Sequence, residues 1–177
     1  MAIQIGAKPD SGFDNPIGML IDCHRRIERF LHVLCMVANR AWNRALTDEE
    51  VTAIQSALQY FRVGGLRHTA DEEESLFPRL RAEPTAGKFE EIGGLENDHR
   101  NANDLHAMVD TLYSVWIAAG VLSPEGELRL RSGTEKLKHL YQEHIQIEEK
   151  IVFPRAVEML NSRTIAVIGR EFRARRE

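Results

Sequence analysis

Residues 68–80 read HTADEEESLFPRL, and residues 144–156 read HIQIEEKIVFPRA. Each copy runs histidine, three residues, a pair of glutamates, then an apolar segment closing on Phe-Pro-Arg. The copies begin 76 residues apart. A weaker echo links HRRIERFL, which starts at His24, to HRNANDLH, which starts at His99, 75 residues later. A self-similar spacing of this kind marks duplication of a supersecondary unit. The unit here is a helical hairpin. His68 with Glu72, and His144 with Glu148, stand four residues apart, which places both side chains of each pair on one helix face.

Working outward from the repeat, the rest of the chain is helical in pattern. Asn15-Pro16 provides an N-cap followed by proline at the first helical position. From Ile17 to about Ala45, apolar residues recur at Leu20, Ile27, Leu31, Leu34 and Ala38. Thr47 and Glu50 form a capping box that opens a second helix, Asp48 to about Leu80, with Ile54, Leu58, Phe61 and Leu76 facing inward and Gly64-Gly65 bending or loosening it. Ala82–Lys88 is a connection. A third helix is expected from about Phe89 to Ala119, stopping before Gly120. Ser123-Pro124 starts a short helical piece. Ser132 and Glu135 suggest a second capping box, from which a fourth long helix continues to about Leu160. Asn161-Ser162 is a break before a basic helical tail. No segment shows strand alternation. Four helices of roughly 25–33 residues, about 40–50 Å each, predict an all-α antiparallel up-and-down four-helix bundle with an additional C-terminal helix. The expected division is a flexible lead-in over 1–14, the bundle over 15–160 and the tail over 161–177.

Composition narrows the function classes. The 177 residues suit one domain, and 43% hydrophobic with 28% charged residues is a soluble balance. A net charge of −4 disfavours nucleic acid as a partner. The uncharged run Thr111–Pro124 is too short to span a bilayer, so no membrane association is expected. The N-terminus lacks a secretory pattern. Cys23 and Cys35 have no CxxC spacing, so neither a disulfide scaffold nor a thiolate metal site is expected, and a cytoplasmic location is the default.

The chemistry concentrates in six residues. His24, His68, His99 and His144 fall one on each long helix, at equivalent places in the repeat. With Glu72 and Glu148 they form a set able to face one bundle interior. Buried carboxylates need a compensating positive charge. A metal pair supplies it, with imidazoles capping the ions and each carboxylate bridging both. Iron, manganese or zinc suits such donors.

At this point the sequence resembles the hemerythrin-like proteins of the HHE cation-binding class. The resemblance rests on NPIGMLIDCHRRIE around His24, HTADEEESLFPRL from His68, ENDH ending at His99, and HIQIEEKIVFP from His144, and spans about residues 15–160. It implies a four-helix bundle holding two iron ions in a non-haem di-iron centre. His24 and His68 would cap one iron, His99 and His144 the other, and Glu72 and Glu148 would bridge. Oxygen-carrying members have a further histidine one turn beyond the position of His99. This sequence has Asn103 there, which implies a more open centre suited to redox chemistry or exchangeable metal. The related iron-centre repair proteins carry an additional cysteine-containing N-terminal region not seen here, so that role is not expected.

The function class implied is a metal-binding protein that binds O2 or a related small diatomic ligand, or senses iron or redox state, as a monomer or homodimer. The alternatives are a di-manganese or di-zinc metalloenzyme, and a structural or sensory bundle whose metal controls folding or partner binding. No catalytic residue is nominated. Other polar residues have blander expected roles. Glu28 and His106 are structural first, His32 and His139 superficial, and Tyr113 and Tyr141 core-filling. Asp71, Glu73, Glu74 and Glu149 are expected to face solvent. The arginines Arg163, Arg170, Arg173, Arg175 and Arg176 are expected on a solvated helix or at an oligomer contact.

Overall fold

The computed structural model describes residues 10–83 and 89–177. Most of the expected lead-in, and most of the expected connection at 82–88, lie outside the described residues. Residues 10–14 run along the bundle: Ser11 donates its amide to Asp22 at 2.7 Å, and Arg26 pairs with Asp10.

Helix α1 spans Pro16–Arg40, with Asn15 accepting from the Gly18 amide at 3.1 Å. It stops short of the expected Ala45 because the following turn is tied to other helices. Asn43 takes a left-handed φ of 53°, its amide donates to the buried Glu127 at 2.9 Å, and Trp116 donates to the Arg44 carbonyl at 3.3 Å. The Thr47/Glu50 capping box forms and opens α2, which covers 48–82. The helix does not break at Gly64-Gly65; it widens there into a π turn, Phe61–Gly65, and again at Asp71–Leu76. Helix α3 is Glu90–Ala119 and ends on Gly120 at φ 75°, where glycine avoids the strain a Cβ would bring.

Helix α4 covers 124–159 without interruption, carrying one π turn at Glu148–Val152. The capping box expected at Ser132 and Glu135 does not form. Leu130, Thr134 and Leu137 are all buried on one face, and Gly133 packs directly against Met108 and Val109 of α3, so packing carries the helix straight through the local start signal. Asn161 caps α5, Ser162–Ala174, through the Thr164 amide at 3.0 Å.

No strand occurs among the described residues, and the chain is an all-α bundle with a fifth helix packed on it. Its core is divided. One apolar cluster includes Leu31, Leu34, Ile54, Val109, Trp116 and Leu137; the other includes Leu20, Leu76, Phe77, Ile92, Phe153 and Phe172. Along α1 and α3 the chain passes from the second cluster to the first, and along α2 and α4 from the first to the second. That alternation is the up-and-down topology. On every long helix the repeat histidine lies where the chain crosses from one cluster to the other, so the polar belt is sealed by apolar layers on both sides.

Candidate metal centre

His24 comes from α1, His68 and Glu72 from α2, His99 from α3, and His144 and Glu148 from α4. All six are buried, and both glutamates have no exposed surface. They gather into two groups, His24/His68/Glu72/Glu148 and Glu72/His99/His144/Glu148, whose donor atoms lie within 4.8 Å of one another. The histidine pairs are those expected from the resemblance, and both carboxylates belong to both groups. Glu72 turns one oxygen to each group: Oε1 lies 3.3 Å from His68 Nε2, and Oε2 lies 3.3 Å from His99 Nε2. Glu148 Oε2 lies 3.0 Å from His24 Nε2 and 3.3 Å from His144 Nε2.

These approaches are close but badly aligned for hydrogen bonding. The Nε2 atoms of His24, His99 and His144 and every oxygen of Glu72 and Glu148 are buried without a well-oriented partner. Each such orphan costs about 1–3 kcal/mol, yet here they share one small volume. The donor atoms form two close groups that share both carboxylates, an arrangement a cation pair would satisfy. Electrostatics agree. Burial, reinforced by neighbouring Glu148, holds the Glu72 carboxyl well above the usual carboxylate range. Burial also pushes on Glu148, but His144 and His24 outweigh it and hold that carboxyl well below the range. His68 is driven well down by burial, and His99 is lowered by burial and by His144. Burial acts on His144 too, but Glu148 and Asp98 overcome it and raise its pKa.

The sequence reading missed the residues that hold the imidazoles. Glu73 and Glu149 do not face away. Glu73 Oε1 sits 2.8 Å from His99 Nδ1, and Glu149 Oε1 sits 2.9 Å from His24 Nδ1. Asp98 approaches His144 Nδ1 at 3.5 Å. Carboxylates on the far nitrogen fix the ring and turn Nε2 inward. Phe153 lies flat on His24, ring centroids 5.5 Å apart, and Phe77 lies flat on His99 at 6.4 Å. The contacts of Glu73, Glu149, Phe77 and Phe153 each cross from one hairpin to the other, whereas Asp98 and His144 belong to the same hairpin. The signal was present: the second glutamate and the phenylalanine occur in both copies of the motif.

Comparison with known proteins agrees with this geometry. The hemerythrin HHE cation binding domain matches residues 15–156. The chain belongs to the hemerythrin HHE family. An uncharacterized protein of Haemophilus influenzae is 27% identical over 172 residues, which is 93% of this chain and 92% of that protein. Family membership and the buried His/Glu groups together indicate a metal-binding site.

Within this HHE domain other expected positions fall differently. Asn103 is exposed, while its neighbour Ala102 is buried, so Asn103 does not occupy a ligand position. Glu28 is exposed as well. His32 and His139 are superficial, as expected. His106 is held at 3.1 Å from the Tyr141 hydroxyl and packs on Phe61; burial pushes its pKa down to about 4, so it stays neutral. Tyr113 donates to the Leu34 carbonyl within the first apolar cluster. Cys23 and Cys35 are buried and unpaired. Two expectations need correction. Asp71 is fully buried rather than solvated, and of the C-terminal arginines Arg163, Arg170 and Arg173 are exposed as expected, whereas Arg175 and Arg176 turn back to bind Asp71. No described helix is long and apolar enough to cross a membrane.

Proposed function

We propose that this HHE domain holds a carboxylate-bridged non-haem di-iron centre that binds O2 or a related small diatomic ligand, or reports iron or redox state. His24 and His68 would serve one iron, His99 and His144 the other, and Glu72 and Glu148 would bridge. The observation that carries this reading is the placement of Glu72, with one oxygen toward each histidine pair and no hydrogen-bond partner for either. When bound, an iron pair supplies reversible redox chemistry and a coordination position for a small ligand. The chain supplies the rest. Four imidazoles and two carboxylates fix the pair, Glu73, Glu149 and Asp98 orient the rings, and the two apolar clusters exclude water from either side. A reducing cytoplasm suits its two unpaired thiols.

The test combines metal content and optical spectra after anaerobic ferrous reconstitution and then exposure to air. The expected result is about two irons per chain, as in carboxylate-bridged bundle sites, with near-ultraviolet bands that appear on oxidation. Glu72→Ala and Glu148→Ala should each abolish the pair, since each removes a donor from both groups. Less than about one iron per chain, with no further loss in either variant, would sink the paired-metal reading. Two nitrogen and two carboxylate donors per group also accept manganese or zinc, and the same titration with those ions discriminates.

A further inference from the structure

The buried acid Asp71 has no counterpart in the second repeat. The equivalent position there is Ile147, which packs against the second apolar cluster. A fully buried carboxylate is costly unless its partners are assured. Here they come from the last residues of the described chain. Asp71 Oδ1 accepts from Arg175 Nη1 at 2.9 Å, and Oδ2 accepts from Arg176 Nη2 at 2.6 Å. Arg175 also reaches Ser75 Oγ at 2.8 Å and Glu74 at 3.1 Å. In return, Arg79 of α2 forks onto Glu171 of α5 at 2.7 and 3.0 Å. Ile168 and Phe172 anchor the same helix in the second apolar cluster. Every α2 residue in this clamp lies on the π turn Asp71–Leu76 or in the turn after it. Glu72 projects from that π turn.

We propose that α5 is a positioning strap for the metal centre, and that Arg175 and Arg176, acting through Asp71, hold the turn that presents Glu72 to both histidine pairs. The inference rests on the metal reading above. Planar guanidinium forks fix a carboxylate in direction as well as distance, so they fix the backbone from which Glu72 leaves. Among the described residues Glu148 has no such strap, which makes Glu72 the carboxylate whose placement depends on Arg175 and Arg176.

The test loads the full chain with ferrous iron anaerobically and follows release to an excess of chelator. Arg175→Gln/Arg176→Gln should keep the helical circular-dichroism spectrum and release iron at least about tenfold faster, the scale on which groups supporting metal ligands act. Arg175→Lys/Arg176→Lys should recover only part of the loss, because charge without the fork is restored. Ile54→Val, in the other apolar cluster, is the control for general destabilisation and should leave release unchanged. Unaltered release in the Gln variant, or release that follows melting temperature equally in the control, overturns the strap. Should the Gln variant not fold, hydrogen exchange on the unmutated chain decides. Iron loading must slow exchange in both 71–76 and 162–174, and an unchanged tail overturns the proposal. A wild-type chain that takes up no iron overturns both the strap and the metal reading. Normal uptake with unaltered release overturns the strap alone.

Discussion

Glu73 and Glu149 are each about one-third exposed, yet each holds a buried imidazole of the opposite hairpin. Neither touches the shared volume between the histidine pairs. Their work is to fix ring orientation, and supports of this kind alter metal affinity by about ten- to a hundredfold. Glu73→Gln and Glu149→Gln should therefore each weaken metal binding on that scale, and by similar amounts, since the two contacts are equivalent in the repeat. Competition against a chelator of known affinity measures this. Glu28→Gln and Asn103→Ala should leave affinity unchanged, because both side chains are exposed. A large loss at Asn103 with none at Glu73 would invert the assignment. At this scale the sequence was readable for the six inward residues and misleading for their supports. HxxxE fixes a face, but whether the next glutamate faces water or a neighbouring helix depends on what packs across from it.

At the scale of the element, the π turns matter most. The Phe77 amide bonds the Glu72 carbonyl, and the Phe153 amide bonds the Glu148 carbonyl, five residues back rather than four. Such a wide turn strands a carbonyl where the helix returns to α register, and a proline following at once is tolerated because it has no amide to offer. Pro78 and Pro154 stand at those two positions. Pro78→Ala or Pro154→Ala supplies the missing donor and favours the tighter register, which would turn the preceding glutamate by roughly 100° about the helix axis. We expect weaker metal binding in each variant with an equal or higher melting temperature of the metal-free protein, since alanine is about 3 kcal/mol better than proline inside a helix. Equal affinity in both variants would show that the prolines do not set the glutamates. The Phe-Pro pairs were visible in the sequence, but the register change was not. It arises from competition between two hydrogen-bond ladders that differ little locally.

At the scale of the whole molecule, the two apolar clusters each draw on all four long helices, and neither includes a metal-facing residue. Each large buried aliphatic or aromatic side chain contributes about 1.5–3 kcal/mol, so the fold has support on both sides of the polar belt. Chelation should therefore leave most of the helical circular-dichroism signal while lowering the melting temperature, because metal binds the native state alone. Loss of most helicity would instead favour the reading in which metal controls folding. The strap formed by α5 belongs to this scale too: it joins the end of the chain to a turn about a hundred residues earlier.

The sequence by itself determined the helical class, the duplication, the four histidines and the two glutamates, because periodicity and i,i+4 spacing are local properties of a helix. It also determined the caps at Asn15 and Thr47, where a side chain reaches an amide three residues away. Only the tertiary structure decided that Ser132 starts nothing, that α1 stops before Asn43, that Glu73 and Glu149 grip the opposite hairpin, and that Asp71 is buried beneath Arg175 and Arg176. Each of these is settled by a partner far away in the chain, from Val109 against Gly133 to Glu149 against His24. A buried charge or an overridden cap has the same local sequence as an exposed or working one; what differs is the desolvation and packing imposed by the other helices.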